Sequence, residues 1–182
     1  MSDENELGAF VTEAIACGWP DNTVPRTDAD FPGFYGGEYT RADWRYLDIW
    51  SGASTDAGMM VVFRAGSAVW ICTYRGGILP SEHLEQTSVA ENELFRFLID
   101  ALRADGTPVV RLRGPARHTS GDGRWEYKFE MSGSIDGFWA MEQIRDHGVL
   151  AYERVLLGGR VGDGVSYGTG SLLDGRTFGG DM

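Results

Sequence analysis

The feature that most constrains this chain is a stretch that occurs twice. Trp125, Tyr127, Ser132 and Gly133 lie over Trp44, Tyr46, Ser51 and Gly52 at a constant displacement of 81 residues. One residue later the displacement becomes 82, and it holds for Gly148 over Gly66, Tyr152 over Trp70 and Gly158-Gly159 over Gly76-Gly77. A chain built from two copies of one unit has to form two similar halves, each burying the same aromatic pattern.

Each copy reads as three short strands. Trp44 to Trp50, Met59 to Arg64 and Ala68 to Tyr74 are rich in aromatic and β-branched residues and are punctuated by Ser51-Gly52 and Ala65-Gly66. The second copy repeats the scheme with Trp125 to Met131, Phe138 to Arg145 and Val149 to Leu156, and Asp146-His147-Gly148 forms a tight turn. Connections this short join antiparallel neighbours.

A helical pattern precedes each copy. Leu7, Phe10, Val11, Ala14 and Ile15 share one face, acids crowd the first turn, and Gly18 with Pro20 provides a stop. Ser88-Val89-Ala90-Glu91 has the spacing of a capping box, Leu94, Leu98, Ala101 and Leu102 supply the apolar stripe, and Asp105-Gly106 with Pro108 ends it. The expected fold is α+β, an internally duplicated helix plus three-stranded antiparallel meander, with two helices packed on a curved antiparallel sheet. Residues 1–160 make a single domain, with repeat units at about 4–78 and 88–160, and 161–182 is a Gly-rich extension anchored by Leu172, Leu173 and Phe178. The long connection from Trp19 to Ala42 reads as a loop, whose Phe31, Phe34, Tyr35 and Tyr39 either close over a site or pin the loop to the sheet. A further short strand is expected over Val109 to Leu112.

Charge and motifs exclude several function classes. The formal net charge of −11 repels phosphate backbones and anionic lipid, so neither nucleic acid nor a membrane is an expected partner. No apolar run approaches a membrane span, and the acidic Asp3-Glu4-Asn5-Glu6 start is unlike a signal peptide, so a cytoplasmic location is expected. Cys17 and Cys72 lack a partner pattern and read as buried thiols, and His83, His118 and His147 lack metal-ligand spacing. With no GxSxG, P-loop, dinucleotide GxGxxG or HExxH pattern, no metal or cofactor is expected.

Tyr46-x-Asp48 with Gly52, Trp70 with Tyr74-x-Gly76, Arg113-Gly114-Pro115, Phe138 with Glu142-x-Ile144, and Tyr152 with Gly158-Gly159 together resemble an uncharacterised bacterial family, domain-of-unknown-function family 5680. The resemblance runs from about Glu38 to Gly159 and implies fold boundaries but no activity. Members often follow an Xre-type helix-turn-helix, which the single helical pattern before the first strand does not supply.

Strand parity nominates the site. Trp44, Tyr46, Asp48 and Trp50 share a face, as do Phe138, Ala140, Glu142 and Ile144, and Tyr152, Arg154 and Leu156. The charges Asp48, Glu142 and Arg154 correspond in the other copy to Phe129, Met60 and Cys72, so the fold alone does not require them. The candidate ligand-binding set is Tyr46, Asp48, Trp50, Trp70, Arg113, Glu142, Tyr152 and Arg154, facing a small polar molecule across an aromatic-lined face. The opposing reading makes Glu142 and Arg154 a buried ion pair and gives Asp48 a loop amide. Two further readings stay open: a homodimeric interaction domain, and an enzyme whose Asp48 and Glu142 carboxylates are close together and reachable by solvent.

Overall fold

The structure is a computed structural model and describes residues 3–21, 24–25, 32–79, 88–104 and 112–162. In chain order it contains α1 (Asp3–Asp21), β1 (Val24–Pro25), β2 (Tyr35–Arg41), β3 (Trp44–Gly52), β4 (Thr55–Arg64), β5 (Ser67–Ile78), α2 (Ser88–Arg103), β6 (Arg117–Thr119), β7 (Trp125–Ser134), β8 (Gly137–Asp146) and β9 (Val149–Arg160). The extension anchored by Leu172, Leu173 and Phe178, the Phe31 part of the long connection, His83, the Asp105-Gly106 and Pro108 helix stop, and the strand expected from Val109 lie outside the described residues, save Leu112, which is buried.

The expected pair of three-stranded meanders, each with its helix, is corrected. All nine strands form one antiparallel sheet in the order β1-β2-β3-β4-β5-β9-β8-β7-β6, or eight beside the two-residue β1. The last strands of the two halves, β5 and β9, pair along nine positions from Trp70↔Arg160 to Ile78↔Tyr152 and join the halves. The additional strands lie toward the edges, where polar and Gly-rich sequences such as Tyr35-Gly36-Gly37-Glu38 and Arg117-His118-Thr119 carry no apolar alternation. The helices are a minor part of the fold: α1 meets β2 and β3, α2 meets β7, and the two touch each other. α1 also continues through Gly18 and Pro20 to Asp21.

One face of the sheet holds the core. Leu7, Phe10, Val11 and Ala14 of α1 are wholly buried, each of the larger ones contributing about 1.5–3 kcal/mol. Phe10 stacks on Trp44 with ring centroids 5.2 Å apart, and Phe97 of α2 stacks on Trp125. The hairpin turns at Ala65-Gly66 and His147-Gly148 have both residues at positive φ, 48° and 85° in the first and 48° and 81° in the second, the geometry that lets a two-residue loop follow strand twist.

The glycine doublets mark the seam between the halves. A Cβ on Gly76 would lie 2.1 Å from the Glu153 carbonyl oxygen and 2.4 Å from the Arg154 Cα, and one on Gly158 would lie 2.5 Å from the Ile71 carbonyl oxygen. Both glycines are on the core side, so β5 and β9 approach there more closely than side chains would permit.

Candidate functional site

Three rows of cross-strand neighbours build the polar part of the core face. One row runs Asp56, Gly76, Arg154, Glu142 and Phe129 across β4, β5, β9, β8 and β7. The next runs Trp50, Gly58, Tyr74, Leu156 and Ala140, and the third runs Asp48, Met60, Cys72, Gly158 and Phe138. Among the described residues, Asp48, Arg113, Glu142 and Arg154 are the buried charged ones, and Asp56 has a side chain only 12% exposed.

Glu142 is saturated. Its Oε1 accepts from Arg113 Nε at 2.8 Å and from the Tyr127 hydroxyl at 3.0 Å, and its Oε2 accepts from the Tyr152 hydroxyl at 3.1 Å. Complete burial works to raise its pKa, but the Arg113 charge, the Arg154 charge and these hydrogen bonds outweigh it and hold the carboxyl below its ordinary value. The hydroxyls that donate to it stay neutral, because burial pushes both Tyr127 and Tyr152 upward.

The other end of the cluster is not saturated. Asp48 Oδ1 accepts from the Tyr74 hydroxyl at 2.7 Å, with a longer contact of 3.3 Å from the Tyr46 hydroxyl to Oδ2. Burial pushes Asp48 up to about 6 against the Tyr74 hydrogen bond and the Arg113 and Arg154 charges. Arg154 reaches across the position of Gly76 and donates from Nη2 to Asp56 Oδ2 at 2.6 Å. Its guanidinium lies over the Tyr74 ring at 4.7 Å and the Tyr152 ring at 5.5 Å. Arg154 Nε and Asp56 Oδ1 are both buried without a hydrogen-bond partner. Burial raises the Asp56 pKa, with Arg154 opposing it.

The sequence-nominated residues divide. Tyr46, Asp48, Arg113, Glu142, Tyr152 and Arg154 come together in this cluster. Trp70 does not offer its ring nitrogen to a ligand, since that N–H donates to the Ile135 carbonyl at 3.0 Å while the ring stacks on Phe138. Trp50 is buried and stacks on Tyr35. The two alternatives to a ligand site are corrected as well. A register irregularity between Ile144 and Arg145 brings Glu142 opposite Arg154, yet Arg154 turns to Asp56 and Glu142 takes Arg113. Asp48 takes tyrosine hydroxyls instead of a loop amide. Nor are Asp48 and Glu142 reachable by solvent, being 4% and 0% exposed.

Asp56, Tyr74, Tyr127, Gly58 and Gly76 were not nominated. A Cβ on Gly58 would fall 2.5 Å from the Tyr74 hydroxyl, so Gly58 is the socket that lets Tyr74 reach Asp48. Extending the β4 pattern back from Met60 by two and four residues finds Gly58 and Asp56 on the same face, because β4 begins at Thr55 and not at Met59. Glu91 is likewise engaged elsewhere, accepting from Ser54 Oγ at 2.8 Å. Among the described residues, no three His, Cys, Asp or Glu side chains gather as metal ligands, and no helix is long and apolar enough to cross a membrane. A separate polar cleft of about 390 Å³ lies on the opposite face of β6, β7 and β8, lined by Arg117, Lys128, Gln143 and Arg145 among others.

A family model described as a domain of unknown function (DUF5680) matches residues 48–161, which include every charged member of the buried cluster. No curated protein and no solved structure matches the chain.

Proposed function

The chain belongs to this family of unknown function, and we propose that it is a binding module for a small polar molecule held by Asp56 and Arg154. The observation that carries the reading is the pair of buried polar atoms without partners, Asp56 Oδ1 and Arg154 Nε. Each costs about 1–3 kcal/mol when left unpaired in the interior. One is an acceptor and the other a donor, so a ligand that satisfies both presents an N–H or O–H group beside a hydrogen-bond acceptor.

Charge narrows the class. Asp48, Asp56 and Glu142 face Arg113 and Arg154, which leaves one negative charge in excess when all are ionised. Burying an unpaired charge is costly, and proton uptake by Asp48 is one way to remove it. A cationic N–H donor bound at the same corner is the other. The favoured ligand is therefore a small amine or amidine that also carries a carbonyl or similar acceptor. Glu142, with Arg113, Tyr127 and Tyr152, is the framework behind the site and not part of the contact surface.

The test is thermal unfolding of the wild-type chain in a panel of small amines, amidines and amides. At a concentration roughly 100 times its Kd, a ligand stabilises by about 2.7 kcal/mol, which corresponds to a rise in Tm of about 5–10 °C for a chain of this length. The rise should disappear in Asp56→Ala. If no compound shifts Tm by more than about 1 °C at [L] far above a millimolar Kd, or if the shift survives in Asp56→Ala, the reading is wrong.

A further inference from the structure

The chain is strongly acidic, with 16 basic against 27 acidic residues, yet one concave part of its surface has the opposite sign. The polar cleft on the outer face of β6, β7 and β8 is lined by Arg117, Lys128 and Arg145 against the single acid Glu126, an excess of two positive charges. Lys128 is the chain's only lysine. Register explains how the cations meet. Arg117 on β6 lies directly opposite Lys128 on β7, so two like charges share one face about 5 Å apart at their Cβ atoms, a pairing that destabilises a sheet unless it is neutralised. Glu126 of β7 pairs with Arg145 of β8, two residues along from the pair Lys128 and Gln143. Arg145 is therefore diagonal to Lys128 at about 7–8 Å, within reach of long side chains.

The acids at hand leave the group largely uncompensated. Among the described residues Arg117 makes no ion pair, and Arg145, although opposite Glu126, makes none either and donates from Nη1 to the Gly148 carbonyl at 3.1 Å. Lys128 holds Glu130 at 2.7 Å, but these side chains are 38% and 58% exposed, and an exposed pair of this kind is weak enough for an incoming anion to displace.

We propose that this cleft binds a compact phosphate dianion, either free or as the head of a small monoester. Two negative charges match the excess of two. Arg117 offers a planar fork suited to two phosphate oxygens, and Lys128 sets a point charge beside it. At about 390 Å³ the cleft exceeds what the phosphate group alone fills, which leaves room for the organic part of an ester beside Thr119 and Glu126, neighbours in the next row whose oxygens accept from hydroxyl or amino groups. Glu126, with Glu130 and Glu153 on the same face, disfavours an extended polyanion such as nucleic acid, because further phosphates meet carboxylates. The site lies on the opposite face from Asp56 and Arg154 and does not rest on the reading of that cluster.

Isothermal titration calorimetry on the full chain tests this at low ionic strength and about pH 8, where a monoester is a dianion. The probes are glycerol 3-phosphate, inorganic phosphate and succinate, with circular dichroism melts to confirm folding of each variant. At least one of the two phosphates is expected to bind with a Kd below about 1 mM and about tenfold more tightly than succinate, whose charges are split between two groups. A tighter ester identifies a monoester as the occupant, and equal affinities identify free phosphate. Arg117→Gln and Lys128→Gln should each weaken phosphate binding about tenfold, and Glu126→Gln should strengthen that of inorganic phosphate about threefold by removing the opposing charge. A Kd above about 10 mM for both phosphates overturns the site, as does an affinity unchanged within about twofold in both Arg117→Gln and Lys128→Gln. Succinate binding as tightly as phosphate overturns the assignment of the anion.

Discussion

Replacing Glu142 with alanine should be among the most damaging single substitutions in the described sheet, because three donors depend on this one carboxylate. Removing it leaves Arg113, only 4% exposed, as a buried cation without its counter-ion. Breaking a buried pair in this way costs about 3–5 kcal/mol. The Tyr127 and Tyr152 hydroxyls lose their acceptor at the same time, at about 1–3 kcal/mol each if nothing replaces it. These costs share one space and do not add, since the vacated volume is polar and can admit water, so the expected loss is about 5 kcal/mol. That is a third or more of the roughly 5–15 kcal/mol that holds a typical domain together. Urea unfolding followed by tryptophan fluorescence measures it. The sign of the pH dependence follows from the same contacts: the folded pKa of Glu142 is lowered, so its contribution is present above the ordinary glutamate range and is lost as pH falls through the lowered value. The Arg113→Met, Glu142→Leu double substitution removes both charges and should recover about 2 kcal/mol of that loss, with the Tyr127 and Tyr152 hydroxyls still lacking their acceptor. A single-substitution loss below about 1 kcal/mol would falsify the assignment of Glu142 as a saturated framework residue.

Two further perturbations probe other parts of the face. Asp48 binds protons more tightly folded, near pH 6, than unfolded, near 3.8, so its effect on stability declines as pH rises through that window, by up to about 3 kcal/mol; Asp48→Asn should flatten the fall in Tm between pH 4 and 7, and parallel curves for the two proteins would refute the burial of an uncompensated carboxyl. Gly76→Ala should cost more than about 3 kcal/mol, because the added methyl meets the backbone of Glu153 and Arg154 and not a movable side chain, whereas Gly121→Ala, with nothing within 4 Å, should stay within about 0.5 kcal/mol. Equal denaturation midpoints for those two alanine variants would show that the seam is looser than the backbone contacts imply.

What the sequence disclosed followed its aromatic and apolar alternation. Trp44, Tyr46 and Trp50 on β3, and Phe138, Ala140 and Ile144 on β8, announce their faces through parity, and these side chains are buried as alternation requires. The extent of the sheet was not legible for the converse reason. β2 passes through Gly36-Gly37 and β6 through Arg117-His118-Thr119, edge sequences shaped by solvent and neighbours instead of a core. Side-chain partners were harder still. Arg113 lies in a Gly-Pro turn with no periodicity, so nothing local links it to Glu142, and the irregularity at Ile144 moves Glu142 one place relative to a regular ladder.

The register explains why the charges in this core need one another. Asp48, Met60 and Cys72 are neighbours in one row of the first half, and Phe129, Glu142 and Arg154 are neighbours in one row of the second. Position by position, each row carries apolar side chains where the other carries charge. The second row contains a carboxylate and a guanidinium that could have satisfied each other and closed the site. They do not, because Arg113 takes Glu142 and frees Arg154 to cross Gly76 toward Asp56. The consequence is a cation held between Tyr74 and Tyr152 with its Nε–H uncommitted, beside a carboxylate with one oxygen uncommitted and another carboxyl that burial pushes up to about 6. A core selected for stability alone would have used the simpler neighbouring pair. Diverting Arg154 away from it leaves a donor and an acceptor unpaired at the cost of desolvating them, and that cost is what the proposed binding of a small polar molecule would offset.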